Sequence, residues 1–253
     1  MSHYESVADE YESAFFYGDI EYRDWLLSHL VTLFRIEADS GERFDLVDIG
    51  GGTGNFTQAL AESLQISSEK KFLCVDPFPE MLKKASIHMN VEPLLMDALG
   101  FSKSDFSYSY ALMKEVIHHI PEVNLDELFD GIFRQLSWGG LCVILTRPEE
   151  VDYPFFPLAA RIWKENQISS SKITAALERS GFKSVEIHSH SYAVRIRKSV
   201  WLKMISNRFW STFSLCSDDE IAAGIDYLSQ KHSSEDSLSF SDTILFILAR
   251  KLR

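Results

Sequence analysis

The stretch LVDIGGGTGNFTQAL, from Leu46 to Leu60, places four glycines within five positions between an apolar run and a helical pattern. Glycine loses more backbone freedom on folding than any other residue, so this cluster indicates a backbone that turns tightly or lets a ligand come close. The apolar run 44–49 predicts a buried strand, and the four-residue spacing of Phe56, Leu60 and Leu64 predicts a helix. A strand, a glycine turn and a helix are together typical of a nucleotide-binding corner.

The neighbours of these glycines narrow the choice of ligand. A dinucleotide site needs a third glycine three residues after Gly52, and Asn55 stands there instead. A phosphate-binding loop needs a lysine that the stretch lacks. Asp48 would repel a pyrophosphate and suits a ligand with an ammonium group. Asp76, which ends the next predicted strand, can accept both hydroxyls of a ribose. We therefore predict that the ligand is an adenosine with a positively charged tail.

Strand and helix patterns alternate along most of the chain. The predicted strands after the first are 72–75, 91–96, 106–113, 141–145, 185–187, 192–196 and 243–249, and the predicted helices start near residues 55, 79, 125, 173 and 217. Gly139-Gly140 is expected to end the helix that begins at Leu125, a bend or bulge is expected between 187 and 192, and Ser233 to Ser241 reads as a loop. Such alternation predicts an α/β fold with a parallel sheet and helices on both faces.

Composition excludes several classes of function. The chain has 253 residues, of which 45% are hydrophobic and 25% charged, as is ordinary for one globular domain. No run approaches the roughly 20 apolar residues of a membrane span, and no secretory signal is evident. Three isolated cysteines favour a reducing compartment, so we expect a cytoplasmic protein. Neither these cysteines nor the His, Asp and Glu residues have the spacing of metal ligands, so we expect no metal site. The net charge of −12 argues against a nucleic-acid or membrane surface.

Five segments, taken in order, resemble the class I S-adenosylmethionine-dependent methyltransferases. VDIGGGTG is similar to the first motif of this family, CVDPFPEML to the second, MDAL to the third, ALMKEVIHHI to the segment after the fourth strand, and RQLSWGGLCVI to the turn into the fifth. The resemblance implies a Rossmann-like, seven-stranded, mostly parallel sheet whose last strand, DTILFILAR, is antiparallel. It also implies cap segments at the N-terminus, after strand 5 and around strand 6.

The resemblance implies a single methyltransferase domain over residues 1–253. Residues 1–40 would form N-terminal lid helices, residues 41–147 the cofactor-binding half, and residues 148–253 the substrate-side half with cap insertions. The cofactor would be S-adenosyl-L-methionine, with S-adenosyl-L-homocysteine as the product. The residues expected to bind it are Asp48, Gly50, Gly52, Gly54, Asp76, Pro77, Met81, Asp97, Ala98, Met113 and Lys114.

The methyl acceptor is expected at the carboxyl edge of the sheet, where open α/β sheets bind ligands. His118 and His119 follow the fourth predicted strand, and either could take a proton from the acceptor as a general base. The alternative is that one of them caps a turn or packs against the cofactor. Arg147 follows the fifth strand at the same edge, and Phe156 lies in an aromatic stretch that could line an acceptor pocket.

Two further residues are candidates for acceptor binding. Tyr11 lies in an aromatic-rich N-terminal segment that resembles the lid of small-molecule methyltransferases, although it could equally be a surface helix. Arg208 continues the helical spacing of Trp201, Met204 and Ile205, which places a charge on an apolar stripe. A buried charge needs an anion, which would be either a carboxylate of this chain or the carboxylate of a substrate.

These observations predict an enzyme that transfers a methyl group from S-adenosylmethionine to nitrogen or oxygen of a small molecule, possibly one with a carboxylate, by in-line displacement. A second class of function is a catalytically inactive S-adenosylmethionine-binding regulator or scaffold. A third is a nicotinamide-dependent oxidoreductase, which the missing third glycine disfavours. The expected partner is a small-molecule acceptor, with neither nucleic acid nor membrane, and the sequence leaves the oligomeric state open.

Overall fold

The computed structural model describes residues 20–34 and 44–253. The strands are β1 (Phe44–Ile49), β2 (Phe72–Asp76), β3 (Val91–Leu95), β4 (Tyr108–Lys114), β5 (Leu136–Thr146), β6 (Ser184–Arg197) and β7 (Ser237–Arg250). The helices are α1 (Ile20–Val31), α2 (Asn55–Ser63), α3 (Pro79–Ala85), α4 (Ala98–Ser102), α5 (Leu125–Gln135), α6 (Pro157–Asn166), α7 (Ser170–Arg179), α8 (Lys198–Ser206), α9 (Ser211–Ser214) and α10 (Asp218–Lys231). No helix in these ranges is long and apolar enough to cross a membrane.

The seven strands form one sheet in the order β3-β2-β1-β4-β5-β7-β6. Strand β1 pairs in parallel with β2 and β4, and β5 pairs antiparallel with β7. All six residues of β1 are buried, as expected of a central parallel strand that is covered on both faces. The predicted fold class, a Rossmann-like and mostly parallel sheet with an antiparallel last strand, is therefore confirmed.

Parallel pairing brings the carboxyl ends of β1, β2 and β4 to the same edge of the sheet. Asp48 of β1 lies beside Cys74 of β2 and beside Leu112 of β4. The glycine turn, the end of β2 and the segment after β4 therefore converge, which is the arrangement that binds ligands in open α/β sheets.

The chain contacts define two compact units. Within the described residues, the first comprises 23–34, 44–146, 168–189 and 245–253, and its core is apolar side chains of β1, β2, β4 and β5 with α5 and α7. The second comprises 20–22, 147–167 and 190–244, and it contains a cluster of buried rings: Tyr153, Phe155, Phe156, Trp163, Trp201, Phe209, Trp210, Phe213 and Phe240. The division of a single domain at residues 40 and 147 stays a prediction.

Two glycines expected to end a helix lie inside a strand instead. Helix α5 ends at Gln135, and Leu136 is already extended with ψ 137°. Gly139 has φ +85° in β5, where the register with β4 shifts between Tyr108 and Tyr110. The glycines therefore accommodate an irregular start of β5, because a left-handed backbone within a strand favours glycine.

Three other expectations about the elements have clear outcomes. The capping box of Ser217 and Glu220 is present at the start of α10, as predicted. The segment before the last strand, read as a loop, belongs to β7 from Ser237 onward, with Leu238 and Phe240 buried on alternate positions. Helix α8 ends at Ser206, so Arg208 does not lie on its apolar stripe and instead has φ +53°.

Candidate active site

The glycine turn leaves an open space above its middle. Gly50, Gly52 and Gly54 all have left-handed backbones, with φ of +78°, +57° and +72°. A Cβ at Gly50 would lie 2.2 Å from Val116, whereas a Cβ at Gly52 would meet no atom within 4 Å. The side chain of Val116 thus packs against the turn at Gly50, whereas the turn is open at Gly52. An open glycine backbone lets a ligand approach closely.

Asp76 sits at the carboxyl end of β2 with both oxygens held by the backbone. The amide of Gly52 donates to Oδ2 at 3.0 Å, and the amide of Phe78 donates to Oδ1 at 2.9 Å. Burial raises the pKa of Asp76, and the two amide donors oppose that rise. Each carboxylate oxygen retains a lone pair, so the oriented group can accept a pair of adjacent hydroxyls. Pro77, which follows it, is exposed, and Met81 of α3 is half-buried.

Asp48 is a buried carboxylate beneath the turn. It is 2% exposed, and the Thr57 hydroxyl donates to Oδ2 at 2.6 Å. Among the described residues Oδ1 is buried without a hydrogen-bond partner. Burial raises the pKa of Asp48 to about 6, while Thr57 and the ammonium of Lys114 act in the opposite direction. A ligand cation close to this carboxylate would compensate for the buried charge.

Asp97 and Ala98 lie at the start of α4, the third predicted motif. Asp97 is the N-cap and accepts a hydrogen bond from the amide of Gly100 at 2.7 Å. The residue is exposed, so the cap fixes its side chain while leaving it accessible. The adenine contact expected of Asp97 and Ala98 stays a prediction.

The segment after β4 turns sharply. Met113 is fully buried in the strand, and Lys114 ends it half-buried. Glu115 has φ +58°, a left-handed conformation that costs about 1 kcal/mol or more for a residue with a side chain. Its amide donates to Leu145 of β5 at 2.9 Å, which holds this turn at the edge of the sheet. Backbone strain at this point is consistent with a functional constraint.

His118 and His119 form a short 3₁₀ turn, Ile117–His119, directly after this bend. Their ring centroids are 4.1 Å apart. Partial burial and the neighbouring His118 lower the pKa of His119 to about 4, whereas Glu115 raises it. Although His119 is exposed by surface area, the direction of this shift keeps its imidazole neutral at pH 7.

Arg147, predicted to bind the acceptor, lies in the other unit. It is 4% exposed, and its Nε donates to Asp242 Oδ1 at 2.9 Å. Tyr22 donates to Asp242 Oδ2 at 2.8 Å, and the Tyr153 hydroxyl also hydrogen-bonds this carboxylate. The guanidinium therefore has a buried carboxylate partner in the protein, and acceptor binding by Arg147 stays a prediction.

Phe156 and Arg208 also lie in that unit. Phe156 is buried and packs so closely on α10 that a Cβ at Gly224 would lie 2.4 Å from its ring. The Arg208 guanidinium donates to the carbonyls of Phe213 and Cys216 and pairs with Asp218 at 2.7 Å. These contacts give Arg208 partners within the chain. Their predicted roles, and that of Tyr11, which lies outside the described residues, stay predictions.

Sequence reasoning missed several residues that shape the site. Thr57 holds Asp48, Val116 packs under Gly50, and the thiol of Cys74 lies 2.6 Å from where a Cβ of Gly51 would be. The apolar spacing that predicted α2 does not indicate a role for Thr57, because that role depends on a hydrogen bond to Asp48 of β1. A short polar side chain on the buried face of that helix was the available signal.

The geometry fits an adenosine with an amino-acid tail. The open face at Gly52, the oriented Asp76 carboxylate and the buried Asp48 with an unpartnered oxygen lie in one unit. Asp76 would hold the ribose hydroxyls, Gly52 would allow close approach, and Asp48 would face a positive charge.

The chain is similar to known methyltransferases in part of its sequence and in its fold. Residues 46–140 match a family model described as a methyltransferase domain. Among solved structures, the chain is similar to phosphoethanolamine N-methyltransferase 2 of Haemonchus contortus, in complex with phosphomonomethylethanolamine and S-adenosylhomocysteine. The TM-score is 0.56 and the identity 18%, over 91% of this chain and 53% of that one, so the chain spans about half of that enzyme. No curated protein sequence matches the chain.

Two bacterial structures match over nearly their whole length. A putative methyltransferase of Bacillus halodurans has a TM-score of 0.60 at 18% identity, over 90% of this chain and 99% of that one. A possible histamine N-methyltransferase of Thermotoga maritima has a TM-score of 0.54 at 17% identity, over 98% and 97%. At this identity such likeness shows the fold.

Residues 46–140 thus match a methyltransferase domain, and the chain shares its fold with solved methyltransferase structures. The Rossmann-like sheet with an antiparallel last strand is the fold that the resemblance to class I methyltransferases implies.

Proposed function

We propose that this protein transfers a methyl group from S-adenosylmethionine to a nitrogen or oxygen atom of a small-molecule acceptor. The observation that carries the proposal is the convergence of the open Gly52 turn with the carboxylates of Asp48 and Asp76. When bound, the cofactor supplies an electrophilic methyl group on a sulfonium centre. The chain's own residues bind, orient and accept a proton.

Five of the predicted cofactor residues have a role in this proposal. Asp76 holds the ribose hydroxyls while the amides of Gly52 and Phe78 fix its orientation. Asp48, supported by Thr57, faces the ammonium of the tail. The backbone at Met113 and Lys114 borders the same tail, because the turn at Glu115 holds it at the sheet edge.

The histidine turn is proposed to serve the acceptor. A neutral imidazole can take the proton that an ammonium or hydroxyl acceptor must lose. A pKa of about 4 makes His119 a weak base, so we assign the proton to His118. His119 would then contribute packing beside it without adding charge.

A small acceptor is supported by two observations. The chain carries a net charge of −12, which disfavours binding of nucleic acid or anionic lipid. The similar structures include a phosphoethanolamine N-methyltransferase and a possible histamine N-methyltransferase, both named for small amines. Amines are therefore the first acceptors to test, followed by amino acids, phenols and carboxylates.

The test is formation of S-adenosylhomocysteine when the protein is incubated with S-adenosylmethionine and each acceptor in turn. We expect acceptor-dependent turnover with at least one small amine or hydroxyl compound. Binding of S-adenosylmethionine without turnover on any acceptor would favour the inactive regulator or scaffold instead.

The role of His118 is tested by H118Q, with H119Q beside it and H188Q as a matched control. His188 is an exposed histidine of β6, paired with Glu186. We expect H118Q to lower kcat by about 100-fold or more with cofactor affinity retained. H119Q should have a smaller effect, and H188Q should have none. A loss below tenfold in H118Q would contradict the assignment.

A further inference from the structure

The side chain of Val116 fills the space that a side chain on Gly50 would need. A Cβ on Gly50 would overlap one methyl group of Val116 and would lie 3.2 Å from the Val116 Cβ. Gly50 also has φ +78°, so the close approach depends on glycine at this position. Branching at Cβ restricts the rotation of a valine side chain. The contact therefore fixes the distance between these two backbone segments.

Each of the two segments is also held by a neighbouring strand of the sheet. The amides of Gly50 and Gly51 both donate to the carbonyl of Val75 in β2, at 2.7 and 3.2 Å. The amide of Glu115 donates to the carbonyl of Leu145 in β5 at 2.9 Å. Moving either segment away from the other would break hydrogen bonds to a buried strand, so Val116 packs between two supported segments.

Val116 is also the N-cap of the histidine turn, Ile117–His119. Its carbonyl accepts a hydrogen bond from the His119 amide at 2.9 Å. Ile117 is fully buried in the core of this unit. The backbone of His118 therefore lies between a buried residue and an amide that Val116 binds, and the position of Val116 determines where His118 begins.

A contact this close transmits a displacement from one turn to the other. Protein interiors are packed as densely as organic crystals, so few gaps remain to absorb a shift of one element. A ligand on the open face of Gly52 would fix the backbone two residues from Gly50. The effect passes from Gly50 through Val116 to the histidine turn, because packed side chains carry coupling between sites.

We propose that Val116 is a positioning residue, which sets the His118 imidazole relative to the bound cofactor by tying the histidine turn to the glycine turn. This inference rests on the proposed function, in which His118 takes the proton of the acceptor. A general base must lie within hydrogen-bond reach of the proton that it takes, and a misplacement of about 1 Å can slow a reaction by about 100-fold. Val116 acts through His118 and takes no part in the chemistry itself.

The test follows the ring signals of His118 by NMR while the protein is titrated with S-adenosylhomocysteine. H118Q and H119Q identify the signals of the two rings. V116A removes the methyl groups that contact Gly50, V116I keeps the branched Cβ, and V185A is the matched control. Val185 of β6 is likewise half-buried and packs against the same core, with three strands between β6 and β1.

We expect the His118 signals to shift as the ligand binds to the wild-type protein, V116I and V185A. In V116A the dissociation constant should stay within about threefold of the wild-type value, while the shift of the His118 signals falls to less than about half. Retained binding also shows that V116A is folded. With an amine that supports turnover, V116A should lower kcat by about tenfold or more, and V116I and V185A should lower it by less than about threefold.

A full shift of the His118 signals in V116A would overturn the inference, because the ligand would then act on the ring without Val116. Wild-type His118 signals that do not move, or an equal loss of the shift in V185A, would overturn it too. Loss of S-adenosylhomocysteine binding in V116A would assign Val116 to the cofactor site alone and would also contradict the inference. Failure of the wild-type protein to bind S-adenosylhomocysteine would instead overturn the proposed function, and this inference with it, so the two failures are distinguishable.

Discussion

The ionised Asp48 carboxylate destabilises the folded chain because it is buried, and this loss of stability indicates a functional role. A buried carboxylate whose pKa rises from 3.8 to about 6 is disfavoured in its ionised form by roughly 3 kcal/mol, at 1.36 kcal/mol per pKa unit. The folded state holds the proton more tightly than the unfolded state does. The contribution of Asp48 to stability is therefore greatest below pH 4 and is lost as the pH rises through 6.

The first prediction concerns D48N, which keeps the shape of the side chain and removes its charge. We expect a free energy of unfolding at pH 7 that is about 1–3 kcal/mol above that of the wild-type protein, with the difference shrinking toward pH 4. Cofactor affinity should fall tenfold or more. Urea unfolding at pH 4, 5.5 and 7 measures the first effect, and calorimetry measures the second.

D130N is the control, because Asp130 is exposed on α5. It should leave both quantities unchanged. A D48N protein that is less stable at pH 7 than the wild type would contradict the assignment of a buried charge that the folded chain leaves only partly compensated.

The second prediction compares Gly52 of the glycine turn with Gly139 of β5. Gly52 and Gly139 both have positive φ, and at both a Cβ would meet nothing within 4 Å. Substitution by alanine at either position should therefore lower the free energy of unfolding by about 1–2 kcal/mol through backbone strain alone. Only G52A would place a methyl group in the space proposed for the cofactor, so G52A should lose cofactor binding and G139A should keep it. Equal affinities in the two variants, measured by calorimetry, would contradict the proposed site.

Residues whose roles follow from local sequence were predictable, and residues whose roles follow from packing were not. The glycines and Asp76 could be found because their spacing from a strand end fixes their position. Thr57 donates a hydrogen bond to Asp48, and the Lys114 ammonium lies over the ring of Phe56. In both contacts the partner belongs to another element. A single sequence does not report which side chains meet across elements.

At the scale of the elements, strand and helix interiors were predicted well and their irregular ends less well. Strand β1 has the predicted bounds because an apolar run marks it, and helix α3 has the predicted start because a proline marks its first turn. The start of β5 and the end of α8 were misread, since Gly139 and Arg208 take left-handed backbones. The Gly139 amide donates to the distant Lys251 carbonyl, and the Arg208 side chain donates to the carbonyls of Phe213 and Cys216. Neither conformation leaves a periodic signal in the sequence.

The third prediction concerns the buried ion pair between Arg147, which follows β5, and Asp242 of β7. Removing one partner leaves an uncompensated buried charge, so R147M should lower the free energy of unfolding by about 3–5 kcal/mol. The double variant R147M/D242L should recover part of that loss, because neither charge remains. Urea unfolding of the set measures both effects.

K164M removes one partner of the exposed pair between Lys164 and Glu150. It should leave the unfolding midpoint unchanged, since surface pairs contribute little. If R147M were as stable as K164M, the pair would not be the stabilising contact that its burial indicates.

At the scale of the whole molecule, the sequence predicted the kind of sheet, whereas the order of its strands is seen only in the structure. Alternating strands and helices predicted the parallel sheet, and the family resemblance predicted the antiparallel last strand, β7. The grouping of residues 147–167 and 190–244 into a compact aromatic unit could not be read from periodicity, because its rings come from separate segments.

The fourth prediction follows from linkage between binding and folding. A ligand that binds only the folded protein stabilises it by about 2.7 kcal/mol at 100 times its dissociation constant. S-adenosylhomocysteine should therefore raise Tm in the wild-type protein and in G139A, and it should leave G52A unchanged. A shift of equal size in G52A would show that the ligand binds elsewhere.

The most direct test of the central claim is a calorimetric titration of the protein with S-adenosylmethionine, with NADH titrated in parallel. The glycine turn with Asn55 in place of a third glycine, and with Asp48 and Asp76 on either side, predicts saturable binding of S-adenosylmethionine and none of NADH. Absence of S-adenosylmethionine binding, or tighter binding of NADH, would contradict the account.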